Sequence, residues 1–282
     1  MPGLTRMGRS RQLAIGALVL ALSVVAAGVA TGAVSPAIKT FTPHSAGDIT
    51  NIDVLRQQIR NYYGDPLGSG TVGDDSYYAR EAKSVARAGT HWLTARSHHH
   101  GSKVKAIVLD VDDTTLVTWN YEIFSNWAYN PATNATFVTG QQFPAVPGMV
   151  AMVTKAASKG YAIIFITGRP ATQEADTMGN LTADGIGVDA GYPAPTTLND
   201  GEDGLFTKPA VADYPQYLKD ACADEILAGK SCTTIHYKSA TRAHIESLGY
   251  DIVADFGDQF SDLKGGHTDR TFKLPNPNYF LP

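Results

Sequence analysis

Three acids close the stretch KVKAIVLDVDDT at residues 103–114: Asp110, Asp112 and Asp113. They follow directly on the aliphatic run Ala106-Ile107-Val108-Leu109. Burying unpaired carboxylates beside such a run is costly, so acids placed there are usually tied to a metal or to a reaction. Asp110 and Asp112 occupy alternate positions, with Thr114 at the next one. A second apolar run, YAIIFI at 161–166, ends in Thr167-Gly168-Arg169-Pro170. The Thr167 hydroxyl and the backbone N–H groups after it can hold an oxyanion; a cap for the following helix is the alternative. Lys238 in HYKSATR and the acids Asp258 and Asp262 in GDQFSDL complete the set.

The elements that position these groups can be read from apolar spacing. The run that ends at Leu109 is short, continuous and rich in β-branched residues, which predicts a strand buried on both faces. Open α/β sheets carry their chemistry at the carboxyl ends of such strands. Met149, Met152, Val153 and Ala156 share one face of a predicted helix that opens at Pro147-Gly148 and stops at Gly160. Strand, helix and strand in that order imply a parallel sheet with right-handed crossovers, so Thr167 leaves the sheet on the same edge as Asp110. A helix is expected over about 171–184. Beyond it, 188–208 reads as a strand with loops and about 209–228 as a helix. A short strand is expected at 233–237, a helix at about 240–248 with Lys238 at the junction, and a last strand at 251–256. The aromatic-rich segment 116–143 is too irregular for one helix and reads as a flap over the acids. Its aromatics, Trp119 among them, either pack the flap or contact a substrate. Upstream, Ile52, Leu55, Ile59 and Tyr62 mark an amphipathic helix. Tyr78, Ala82, Val85 and Trp92 mark a second one, from about 75.

Composition narrows the class. Hydrophobic residues make up 43% and charged residues 18% of the 282, and the net charge of −4 gives no footprint for a nucleic-acid polymer. Arg6, Arg9 and Arg11 precede an uncharged stretch at 13–34 that ends in small residues. This predicts a secretory signal over 1–33, cleaved after Ala30 or Ala33, or a membrane anchor if it is retained. A linker and an N-terminal helical extension then occupy 34–102, and the main domain 103–282. Export to a secreted or cell-envelope location permits Cys222 and Cys232 to pair as a local disulfide. His98–His100 cannot converge on one ion from consecutive positions and read as a solvated loop.

The four motifs DVDDT (110–114), ITGRP (166–170), Lys238 and GDQFSDL (257–263) resemble, in order, those of the haloacid dehalogenase-like (HAD) phosphohydrolase superfamily. With RTFKLPNPNYFLP at 270–282, the chain is similar to the secreted acid phosphatases of subfamily IIIB, a group that includes plant vegetative storage proteins. Those relatives usually carry D-x-D-E-T, where this chain has Asp113. The resemblance implies an α/β, Rossmannoid three-layer sandwich with a central, mostly parallel sheet and no large cap. It implies a Mg²⁺-dependent acid phosphatase acting on small phosphomonoesters, nucleotides included if Trp119 stacks on a base, which would give 5'-nucleotidase activity. Asp110 would be the nucleophile and Asp112 the general acid and base, with Thr167, Gly168 and Lys238 holding the phosphate. Asp110, the Asp112 carbonyl, Asp258 and Asp262 would serve the metal. The same fold also admits a catalytically weak storage or binding protein, or a phosphotransferase. The intact Asp110 favours the enzyme.

Overall fold

The structure is a computed structural model and describes residues 42–96, 102–182 and 185–281. The segment expected to be a secretory signal or anchor, and the triple histidine, lie outside the described residues. In chain order the helices and strands are α1 (Ile52–Tyr62), α2 (Tyr77–Arg96), β1 (Val104–Leu109), α3 (Trp119–Ser125), α4 (Pro131–Thr139) and α5 (Met149–Ser158). There follow β2 (Ala162–Pro170), α6 (Glu174–Leu181), β3 (Leu205–Lys208), α7 (Gln216–Ala221) and α8 (Ala223–Leu227). The chain ends with α9 (Thr234–Ser247), β4 (Tyr250–Gly257), α10 (Phe260–Leu263) and β5 (Thr271–Lys273).

The five strands form one parallel sheet in the order β3-β2-β1-β4-β5. The chain winds outward from β1 to β3, then returns to lay β4 on the other side of β1. The crevice between the carboxyl ends of β1 and β4 is therefore the switch point, where open α/β sheets bind their ligands. Successive side chains of a strand face opposite ways, and the two central cores reflect this. Ile107, Leu109, Ile163 and Phe165 face the layer built with α2 and α5. Ala106, Val108, Ile164 and Ile166 face the layer built with α7 and α9. The pairing of β1 with β4 slips by one residue between Ala106↔Ile252 and Ile107↔Ala254, which leaves Val253 as a bulge.

The N-terminal helices share the main core, since Tyr63, Tyr78 and Leu93 cluster with Ile107 and Phe256. α2 crosses at Gly89, where an added Cβ would meet the Phe256 ring at 2.7 Å. Trp92 Nε1 donates to the Val253 carbonyl at 2.9 Å, which pairs one group of the bulged residue. Asp65 fastens the following turn: Ser69 N, Ser69 Oγ, Gly70 N and Trp119 Nε1 all donate to its carboxylate.

Four expectations differ. The strand read at 233–237 is the start of α9, capped by the Thr233 hydroxyl accepting from His236 N at 3.2 Å. Thr, Ile, His and Tyr suit a strand, but Tyr237, Lys238, Thr241, Arg242 and Ile245 are buried at helical spacing, and that face decides. The strand within 188–208 lies at its far end, as β3; the start of this segment is instead tied to loops through Val188 N to Gln141 O and Tyr192 N to Leu181 O. The sheet does not end with β4, because Asp255, Phe256 and Gly257 pair with Thr271, Phe272 and Lys273 of β5. The helix expected over about 209–228 is broken into a 3-10 turn, α7 and α8.

Candidate active site

Parallel topology delivers the predicted residues to one edge. Asp110 follows β1, Asp258 follows β4, and Thr167 lies in the last turn of β2 beside them. A helix that leads back to begin β4 must start at the carboxyl edge, so Lys238, in the second turn of α9, also reaches the crevice. The position expected for Lys238 is kept, although a helix and not a strand end supplies it. Asp262 comes from α10, and its approach depends on Gly257: a Cβ there would sit 2.5 Å from Asp262 Cβ.

One carboxylate oxygen from each of Asp110, Asp258 and Asp262 lies within 4.8 Å of the other two, and all three residues are buried. Lys238 Nζ pairs with Asp110 Oδ1 and donates to Asp262 Oδ1 at 2.8 Å. Burial alone would lower Lys238, but the charges of Asp110 and Asp262 hold it above its ordinary value. Burial pushes Asp110 well above the carboxylate range, with Lys238 opposing and Asp262, Asp258 and Asp112 adding to the rise. Burial followed by the Asp262 charge raises Asp258 to about 8, against hydrogen bonds from Asn276 and Gln259. One lysine does not balance three close carboxylates. The set is hard, oxygen-only and over-charged, which suits a divalent cation such as Mg²⁺ or Mn²⁺.

Asp112 stands apart from this triad. Its carboxylate is gripped by Arg169, with Nη2 to Oδ1 at 2.6 Å and Nε to Oδ2 at 3.1 Å, and its side chain remains partly exposed. Arg169 is held in turn by Thr177 Oγ1 at 3.0 Å and lies over the Phe143 ring. Sequence reasoning gave Arg169 no role. The available signal was its alternation with Thr167, which puts both on one side of β2. Arg169 N also donates to Thr167 Oγ1 at 3.2 Å. Gly168 is exposed, with no atom within 4 Å of where a Cβ would stand, so this edge is open.

Asp113 does not join the triad. It takes a left-handed backbone, with φ of 54°, and accepts from Thr118 N at 3.0 Å and Thr118 Oγ1 at 2.6 Å. It therefore shapes the turn that leads into α3. Burial raises it to about 7 against those bonds, with Glu122 contributing. Glu122, unremarked in the sequence, is pushed up to about 7 by burial alone.

The segment over the acids is α3 and α4, two short helices. Trp119 is fully buried, its ring stacked on Tyr63 at 4.2 Å and edge-on to Trp127 at 5.8 Å. Both ring surroundings are protein, so the substrate-stacking role expected of Trp119 is overturned. Tyr129, 70% exposed, is raised above its ordinary value by partial burial and by the Asp112 charge, with Arg169 opposing. Tyr279 of the C-terminal tail is raised well above its ordinary value by burial and by the charges of Asp113, Asp258, Asp112 and Asp110.

On the opposite sheet face, Cys222 and Cys232 form a disulfide, with Cα atoms 5.3 Å apart. Among the described residues, no helix is long and apolar enough to cross a membrane.

Comparison with known proteins agrees with this geometry. The stem 28 kDa glycoprotein of Glycine max is 34% identical over 140 residues, 49% of this chain and 44% of that protein. The chain thus matches less than half the length of that relative. Acid phosphatase 1 of Solanum lycopersicum is 26% identical over 183 residues, 62% of this chain and 58% of that one. The class C acid phosphatase structure from Bacillus anthracis shares the fold, with a TM-score of 0.55 and 20% identity over 80% of this chain and 85% of that chain. The family profile of the HAD superfamily, subfamily IIIB (acid phosphatase), matches residues 26–282. Together with the five-stranded parallel sheet and the acids at its switch point, this match over most of the sequence means that the chain belongs to the subfamily IIIB acid phosphatase family of the HAD superfamily.

Proposed function

We propose that this protein is a secreted, Mg²⁺-dependent acid phosphatase that hydrolyses small phosphomonoesters through an aspartyl-phosphate on Asp110. The observation that carries this reading is the buried triad Asp110, Asp258 and Asp262 with Lys238 bridging two of its members. Asp110, Asp258, Asp262 and the Asp112 carbonyl would hold the cation, which supplies positive charge against the phosphate oxygens and lessens repulsion between substrate and nucleophile.

The chain's own groups divide the remaining work. An Asp110 oxygen attacks phosphorus in line with the leaving alkoxide, and Lys238, held charged by two carboxylates, stabilises the equatorial oxygens as charge spreads over them. Thr167 Oγ1 accepts from Arg169 N and keeps its own proton to donate to the same oxygens. An alkoxide needs a proton on departure. Asp112 is the acid in reach of solvent, oriented by Arg169. The same carboxylate then takes a proton from the water that opens the acyl phosphate, and its partial exposure gives that water a path. Tyr129, exposed and subject to the Asp112 charge, is the aromatic available to a leaving group. The Cys222–Cys232 disulfide supports an extracytoplasmic location.

The test is phosphate release from p-nitrophenyl phosphate by the leaderless protein, with Mg²⁺ and after chelation, from pH 4.5 to 7.5. Metal-dependent turnover that disappears in Asp110→Asn supports the reading. Full turnover by exhaustively stripped protein would refute the cation's part, and wild-type turnover by Asp110→Asn the nucleophile.

A further inference from the structure

The carboxylate at the end of β4 is held by the last residues of the chain. Asp258 Oδ2 accepts two amide groups, Asn276 Nδ2 at 2.7 Å and Gln259 Nε2 at 2.6 Å. Its other oxygen, Oδ1, receives only the Thr114 hydroxyl among the described residues, at a longer 3.3 Å. One oxygen is thus committed to the protein and the other is left for a ligand.

Both amides have their orientation fixed by the C-terminal tail. Asn276 Oδ1 accepts from Asn278 N at 2.8 Å, so the nitrogen end must be the one that faces Asp258. Gln259 Oε1 accepts from Leu281 N at 3.0 Å, which turns its nitrogen end to the same oxygen. The tail is fastened at two further points. Asn278 Nδ2 donates to the Tyr63 hydroxyl at 2.9 Å, and Asn278 Oδ1 accepts from Trp127 Nε1 at 3.2 Å. A run of hydrogen bonds therefore links the end of α1, through the tail, to the acid that closes β4.

We propose that Asn276 is a positioning residue for Asp258, and that the C-terminal tail thereby sets the affinity of the active site for its divalent cation. The proposal rests on the cation reading given above. Partners that orient a ligating carboxylate typically govern metal affinity by about 10- to 100-fold. Asn276 touches neither the reacting atoms nor Asp110, so its loss should act through cation occupancy and not through the chemical step.

The experiment is calorimetric titration of Mg²⁺ into wild-type protein and Asn276→Leu, which keeps the branched shape and removes the Asn276 amide while leaving that of Gln259. The expected result is a Kd raised about 10- to 100-fold. With Mg²⁺ raised to saturation, kcat on p-nitrophenyl phosphate should return to near the wild-type value with KM unchanged, a rescue that a merely unfolded or loosened variant would not show. Should Asn276→Leu fail to fold, Asn276→Ala carries the same expectation. A variant Kd within twofold of wild type overturns this proposal alone. Absence of Mg²⁺ binding by the wild-type protein overturns the cation reading, and this proposal with it.

Discussion

Stripped of divalent cations, the protein should lose stability as pH rises from 5 to 7. Burial raises Asp113 to about 7, against the Thr118 bonds, and raises Asp258 to about 8, with Asp262 adding to the rise. Both values lie above the unfolded carboxylate value of about 3.9. The folded state therefore keeps protons that the unfolded chain releases. The stabilisation this gives is complete below the unfolded value and is lost as pH rises through 7 and 8. Each extra proton held by the folded state contributes a slope of about 1.4 kcal/mol per pH unit. The two groups interact through a shared cluster, so a difference of one proton, not two, gives about 3 kcal/mol between pH 5 and 7. In a chain of this size that corresponds to a fall in Tm of about 6–12 °C. Added Mg²⁺ should reverse the fall at pH 7, by about 2.7 kcal/mol at a hundredfold excess over its Kd. The assay is thermal denaturation in chelator at pH 5, 6 and 7, with and without added Mg²⁺. Asp258→Asn should flatten the metal-free profile. A metal-free Tm that is constant, or higher at pH 7 than at pH 5, would refute the reasoning.

Other expectations concern separate parts of the structure. Asp110→Asn should abolish turnover and leave the circular dichroism spectrum unchanged, with a Tm at pH 7 no lower than wild type because one of the crowded charges has gone. Arg242 is buried, pairs with Asp255 at 2.9 Å as an ionic contact, and donates to the carbonyls of Asp262 and Gly266. Arg242→Met strands Asp255 and should cost about 3–5 kcal/mol in a denaturant titration, with partial recovery in Arg242→Met/Asp255→Leu. Reducing Cys222–Cys232, or replacing both by Ser, should cost about 3 kcal/mol for a loop this short, read as a Tm shift with activity retained at 25 °C. Gly257→Ala should cut activity more than stability, because the added methyl displaces Asp262; activity at wild-type level would show that the approach is not needed.

Much of the architecture was legible because burial on both faces leaves an unmistakable trace. The runs before Asp110 and Thr167 have no other plausible place than the centre of a parallel sheet, and from there the shared edge follows. α5 was readable to within a residue because Gly148 and Gly160 bracket a clean helical face. Thr233–Tyr237 was not, because five β-branched and aromatic residues fit either element and only the burial of Lys238 and Arg242 resolves them. β5 has three residues, below what an alternation pattern can reveal, and is held in register by β4. Trp119 shows a different failure. An aromatic nine residues after Asp110 looks available to a substrate, and only the tertiary stack with Tyr63 withdraws it. Arg169 was passed over because a guanidinium next to Pro170 reads as an exposed loop charge until Asp112 is seen beside it.

The placement of β4 beside β1 means that the candidate site is complete only once these two strands have met. Asp110 and Asp112 belong to the first half of the chain, while Lys238, Asp258 and Asp262 are contributed more than a hundred residues later. A nascent chain that has already paired β1, β2 and β3 holds Asp110 with no lysine partner and without Asp258 or Asp262. Parallel pairing across so long a separation is among the slower steps of folding. Asn276, which follows β5, has then still to dock on Asp258. A chain in which β4 has not yet docked is therefore expected to be inert towards phosphoesters, and regain of turnover on refolding should report the pairing of β4 with β1.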